Sequence, residues 1–131
     1  MDLLKTKISS TYIDHYSHVG HDKYQVLIEK AQYKFLQRRV ASFREMEKTY
    51  GLRHVQRAFH IEYIQPLYLN DKIIIETEIN TRGDTSFTFI QQIKKKDVIV
   101  TKCETVYVAV DYNNCKVLMP AELKKKLMLK I

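Results

Sequence analysis

Apolar residues recur along the chain with two different periods, and the change from one to the other divides it. Tyr24, Leu27, Ile28, Ala31 and Phe35 fall at helical spacing while Gln25, Lys30, Lys34 and Arg38 take the other faces, which predicts an amphipathic helix with a nearly unbroken apolar stripe. Asp22 followed by Gln25 has the capping-box spacing and predicts that this helix starts near Lys23. A second, more polar helical run covers Val40 to Lys48 and stops before Gly51. From His54 the period becomes two: Val55, Phe59, Ile61 and Tyr63 alternate with Gln56, Ala58, His60 and Glu62 in a strand ended by Pro66. Turns at Leu69-Asn70-Asp71, Arg82-Gly83-Asp84 and Lys95-Lys96-Asp97 then separate strands over Ile73 to Asn80, Ser86 to Lys94 and Val98 to Asp111. Lys5 to Ile13 reads as an opening edge strand, and Pro120 starts a short closing helix that reaches about Leu127.

Strand, long helix, then four strands with short antiparallel connections is an α+β order. The long helix has only the concave face of that antiparallel sheet on which to bury its stripe. Val98, Val100, Val106, Val108 and Val110 make one face of the last strand apolar, so it reads as an exposed edge that pairs with a second subunit, and a homodimer at least is expected.

The 131 residues fit one domain, 1–131, with 45% apolar and 28% charged residues, as in ordinary folded proteins. Nothing approaches a membrane span, and the start MDLLKTKISS lacks a signal-peptide core, so a cytoplasmic protein with Cys103 and Cys115 reduced is expected. The net charge of +7 favours anionic partners without choosing among them. Lys94 to Lys96 at a hairpin tip and Lys124 to Lys126 near the end are not interleaved with aromatics in any nucleic-acid motif, so no nucleic acid and no membrane are expected as partners.

Candidate chemistry concentrates in DHYSHVGHDKY, Asp14 to Tyr24, which holds three of the five histidines. His15, His18 and His21 recur every three residues, but Gly20 and Asp22 place them before the helix rather than on it, and no ligand pair or cysteine completes a zinc set. Ser17 lacks a nucleophile-elbow pattern. A third reading uses the helix N-terminus, whose unpaired N–H groups polarise a carbonyl. Gly20 and His21 stand there, and Asp14 can reach the same point as a nucleophile or base. Spacing alone leaves this level with an Asp14 that only turns the loop among solvated histidines.

The segment resembles the signature of the 4-hydroxybenzoyl-CoA thioesterase-like hot-dog family, with Asp14, His18, Val19, Gly20, His21 and Tyr24 at the signature positions and Glu29 and Ala31 matching the helix that follows. His18-Val19 and Tyr24 are also similar to plant-type acyl-carrier-protein thioesterases. Tyr63 to Pro66, Asn70-Asp71, Ser86-Phe87, Glu104 to Val110 and Pro120 extend the resemblance over nearly the whole chain. It implies a hot-dog fold, a sheet wrapped around one long helix, in dimers or tetramers with active sites at the dimer interface. It implies acyl-CoA thioester hydrolysis without a metal or redox cofactor, with Asp14 as nucleophile or general base, the His21 N–H on the carbonyl, and His18, Gly20 and Tyr24 at the substrate. Gly20 and His21 replace the asparagines of many members, which keeps the backbone role and leaves a role for the His21 side chain open. Glu29, although a helix glutamate is used by some members, reads here as a structural group. The arginine-rich turn that holds CoA in some members is matched only by Arg82, so Arg57, Arg82 and Lys94 to Lys96 are phosphate candidates by charge. Acyl carrier protein as the thioester carrier, or a non-catalytic acyl-CoA-binding module, are the alternatives.

Overall fold

The computed structural model describes residues 1–80 and 83–128. Its elements in chain order are β1 (Asp2–Lys7), α1 (His21–Arg39), α2 (Phe43–Tyr50), β2 (Arg53–Tyr63), β3 (Lys72–Asn80), β4 (Ser86–Lys95), β5 (Val98–Val110) and α3 (Ala121–Met128). The strands form one antiparallel sheet in the order β1-β3-β4-β5-β2. The stripe of α1 is buried as its spacing predicts: Tyr24, Leu27, Ile28 and Ala31 pack with Ile73, Ile75, Ile93, Val100 and Cys103 of the sheet. Phe35 and Leu36 join Phe87, Phe89, Tyr107 and the α3 residues Leu123 and Leu127 in a second cluster. Each large side chain so buried contributes roughly 2 kcal/mol of transfer free energy, which is why one helix suffices to hold the sheet curved around it. This is the hot-dog arrangement.

The valine-rich last strand departs from its expected place. β5 is not an edge, since it lies between β4 and β2 and is paired along both sides. The chain returns after α1 and α2 to lay β2 against β5, a long-range pairing that local pattern does not encode, so the free edges are those of β1 and β2. The first strand is also shorter than the Lys5 to Ile13 run. It stops at Lys7 because Ile8 turns inward, fully buried, donating from its N–H to Asp71 O and accepting from Asn70 N, each at 2.9 Å.

The capping box at Asp22 does not form. Gly20 is the N-cap of α1 and Asp22 lies inside the first turn, while Gln25 Nε2 donates to Glu29 Oε1 at 3.3 Å. The bridge between Ile13 and Val19 closes the preceding loop and delivers Gly20 already extended, so the helix begins two residues earlier than the side-chain pattern implies. In α2 the start shifts the other way. Ser42 caps it, its Oγ accepting from Glu45 N at 3.1 Å, and Gly51 ends it in the left-handed region at φ 67°.

Between α1 and the sheet lies a polar cluster that the apolar pattern conceals. Gln32 Nε2 donates to Gln91 Oε1 (2.9 Å) and Thr105 Oγ1 (3.1 Å), Gln91 Nε2 donates to Thr77 Oγ1 (3.0 Å) and Ile28 O (3.2 Å), and the Tyr107 hydroxyl donates to Gln32 Oε1 (2.8 Å). Gln32, Gln91, Thr77 and Thr105 are buried, and the mutual bonding offsets their desolvation. These bonds fix α1 in rotation and register over β3, β4 and β5.

Candidate active site

The loop ahead of α1 is built around Asp14. Its N–H donates to His18 O at 2.9 Å, its carbonyl accepts from Ser17 N at 3.1 Å, and Ser17 takes the left-handed conformation that this tight turn needs (φ 67°). Asp14 Oδ1 accepts from Tyr16 N at 2.9 Å, which leaves Oδ2 turned toward the helix. The following residues are pinned from the other side, with Val19 N donating to Leu67 O at 2.8 Å and Gly20 N to Tyr12 O at 3.1 Å. The loop therefore holds its carboxylate by backbone bonds.

Gly20 is the point of closest approach. A Cβ on it would stand 2.8 Å from Asp22 Oδ1, at the end of an exposed side chain that can turn away, and 3.5 Å from Asp14 Cβ and 3.6 Å from Asp14 Oδ2, so the Asp14 carboxylate is seated in van der Waals reach of the head of α1. No side chain caps that helix, and among the described residues the N–H groups of His21 and Asp22 have no acceptor. They carry the positive end of a 19-residue helix.

A cleft of about 580 Å³ opens at this point, lined by Asp14, His18, His21 and Tyr24 on one side and by Tyr63 and Pro66 on the other. Tyr24 is buried, its ring set edge-on to Tyr63 with centroids 5.0 Å apart, and burial pushes its phenol above the usual range, keeping it neutral and a hydrogen-bond donor. His18 Nδ1 stands 3.1 Å from Val19 O and 3.8 Å from Asp14 Oδ1. The His21 side chain is exposed at the rim, and its carbonyl accepts from the Tyr63 hydroxyl at 3.5 Å.

Asp14, His18, Gly20, His21 and Tyr24 thus come together. Arg57 does not join them. It is the extra residue of a bulge in β2 between Gln56 and Ala58, exposed and away from the cleft lining. Arg82 lies outside the described residues. Among the described residues no three histidine, cysteine, aspartate or glutamate side chains cluster as a metal set. The far wall, Tyr63 to Pro66, was legible as the end of a strand and as part of the resemblance, but not as a wall of the cleft. Pro66 stopping the strand and the aromatic at Tyr63 mark it in hindsight, but the contact with Tyr24 is long-range. Ile28 is fully buried in the core rather than lining the cleft, and Phe59 and Ile61 pack against that core.

A carboxylate facing an unsatisfied helix N-terminus inside an aromatic cleft, on a sheet wrapped around one helix, defines a thioesterase-type hot-dog protein. The thioesterase-like superfamily model matches residues 9–127, and the chain belongs to that family of thioester hydrolases. A hypothetical protein from Aquifex aeolicus superposes with a TM-score of 0.89 at 24% identity, covering 97% of this chain and 99% of that one. A 1,4-dihydroxy-2-naphthoyl-CoA thioesterase from Synechocystis superposes at 0.87 with 12% identity, covering 95% and 93%. A hypothetical protein from Staphylococcus aureus, solved in complex with CoA, superposes at 0.86 with 16% identity, covering 95% and 80%. At these identities the likeness is one of fold. No curated protein matches the chain in sequence.

Proposed function

We propose that the chain hydrolyses an acyl-CoA thioester to the free acid and coenzyme A, with Asp14 as base or nucleophile and the His21 N–H as oxyanion donor. The observation that carries the reading is the Asp14 carboxylate seated against Gly20 at the uncapped head of α1. As base, Asp14 takes a proton from a water whose oxygen bonds to the thioester carbon. The carbonyl electron pair moves onto the oxygen held by the His21 N–H, and its return expels the thiolate, which recovers a proton. As nucleophile, Asp14 bonds to that carbon itself and expels the thiolate, which takes up a proton, and water then cleaves the resulting anhydride to release the acid and restore Asp14. Neither course calls for a metal or redox cofactor. Tyr24 and Tyr63 favour a flat aromatic acyl group, in keeping with the naphthoyl thioester named for the Synechocystis structure.

The free edge of β2 supports a homodimer. Val55 is exposed on it and Tyr33 is exposed on α1, and Phe43 touches the rings of both Tyr33 and His54 of β2. Light scattering that gives a monomer at micromolar concentration overturns this part. The +7 charge also admits an acidic carrier protein in place of CoA. A non-catalytic binder would have no use for Asp14, whose charge opposes an anionic ligand.

Thiol release from aromatic and aliphatic acyl-CoAs tests the reading. Asp14→Asn is expected to lower kcat by about a hundredfold or more with the fold intact, and near-normal turnover in that variant sinks the assignment.

A further inference from the structure

A second concave surface, of about 910 Å³, lies where the end of β1, the start of β3 and the β4–β5 hairpin meet. Six lysines line it, Lys5, Lys7, Lys72, Lys94, Lys95 and Lys96, against the two aspartates Asp71 and Asp97. Lys94 is paired with Glu76 at 3.0 Å and Lys95 with Asp71 at 2.8 Å. Among the described residues no carboxylate pairs with Lys5, Lys7, Lys72 or Lys96, and all four are exposed. Set against Asp71, Asp97 and the Glu76 that pairs with Lys94, the six lysines leave a net excess of three positive charges here. The field is felt by the aspartate within it. Burial works against ionisation of Asp71, yet the hydrogen bonds from Lys95 and the Tyr68 N–H and the charge of Lys96 hold its carboxyl below the usual range. At the hairpin tip Lys96 and Asp97 both take positive φ, 49° and 65°, where glycine or asparagine is the low-strain choice.

The lining of the cleft ends at Pro66 and that of the groove takes up at Asn70, so the short stretch between them joins the two. Leu67 O holds Val19 beside Gly20, while Asp71 Oδ2 accepts from Tyr68 N and Asp71 O from Ile8 N at the end of β1. Four peptide steps separate the two, at most about 15 Å between Cα atoms. Between them Tyr68 and Leu69 are about half exposed, 47% and 50%, and Lys95 Nζ stands 5.9 Å from the centre of the Tyr68 ring. Exposed apolar residues beside polar ones mark protein-docking surfaces.

We propose that this lysine groove, with Tyr68 and Leu69, docks an acidic carrier protein that delivers the acyl thioester on a phosphopantetheine arm into the neighbouring cleft. The inference rests on the thioesterase reading above and names the carrier. Lysine suits the task, since mobile point charges spread over four strand ends steer a polyanionic surface without demanding one fixed geometry.

One aromatic acyl group, presented on pantetheine, on coenzyme A and on an acidic acyl carrier protein, separates the outcomes. The comparison is between the wild type and a variant carrying Lys5→Glu, Lys7→Glu and Lys72→Glu, with the corresponding Gln variant as a check on folding. The kcat/KM on the carrier protein is expected to fall about tenfold or more in the Glu variant, less in the Gln variant, and the wild-type rate to drop between low and moderate salt. Rates on acyl-pantetheine and acyl-CoA are expected to stay within about twofold. Equal losses on acyl-CoA and carrier overturn the proposal and assign the lysines to nucleotide phosphates, and an undiminished carrier rate overturns it as well. If no thioester is turned over, the thioesterase reading fails, and calorimetric titration of the holo carrier protein decides docking by itself: weaker binding to the Glu variant supports it, and equal binding refutes it.

Discussion

His54 makes the stability of this protein depend on pH between about 4 and 6.5. It lies on β2, its ring 5.3 Å from that of Phe87 and 5.7 Å from that of Phe43, and both ring nitrogens are buried without a hydrogen-bond partner. Burial pushes its pKa down to about 4 from 6.5. Between those values the unfolded chain binds a proton that the folded chain refuses, so acid favours unfolding. The contribution is complete above pH 6.5 and is lost as pH falls toward 4. The difference of about 2.5 units, at 1.36 kcal/mol each, makes the loss by pH 4 roughly 3 kcal/mol, a large part of the ~5–15 kcal/mol that holds a typical domain. Urea unfolding at pH 7, 6, 5 and 4.5, at constant ionic strength and with the oligomeric state monitored, measures it. The His54→Phe variant keeps an apolar ring among the same aromatics and serves as the reference. The wild type is expected to lose about 2 kcal/mol more than the variant between pH 7 and 4.5. Parallel curves for the two proteins would refute the reasoning, since carboxylates such as Asp71 titrate alike in both.

Four further outcomes are expected. Gly20→Ala adds a methyl that only the exposed Asp22 carboxylate must turn away from, with Asp14 at ordinary contact distance, so turnover and melting temperature should both change little, as read by thiol release and calorimetry. Gln91→Leu removes one of the two acceptors of Gln32 Nε2 and the donor to Thr77 Oγ1 and Ile28 O, and chemical denaturation should show a loss of about 1–3 kcal/mol. Tyr63→Ala opens the cleft wall and should raise KM for aromatic acyl-CoAs severalfold more than for short aliphatic ones, in steady-state assays of both. Cys103 is buried, with its thiol pushed up to about 12, and Cys115 is exposed. An aromatic disulfide reagent should therefore titrate one thiol rapidly in the native protein and the second only after unfolding.

The helical stripe from Tyr24 to Phe35 and the alternation after His54 were legible because each records a burial that repeats along the local chain: every third or fourth residue on one helix face, every second on a strand. The carboxylate and the glycine of the site were legible for a related reason. Asp14 and Gly20 lie six positions apart, and one closed loop brings them together. The start of α1 was misplaced because Asp22 and Gln25 have capping spacing, while the loop closed by Ile13 and Val19 delivers Gly20 in extended conformation first.

What lay beyond the sequence are the contacts between residues far apart in it. Amphipathic periodicity determined by itself that one helix must cover one antiparallel sheet, because apolar area must leave water whatever the topology. Only the tertiary structure decided that β2 lies outside β5, that Tyr63 faces Tyr24 across the cleft, that Gln32 and Gln91 bond beneath the helix, and that lysines from β1, β3 and the β4–β5 hairpin share one groove. Local pattern says which side of an element is buried, but not which distant element buries it. That choice is made by the joint packing of the whole chain, where each pairing is favourable only once the others have formed.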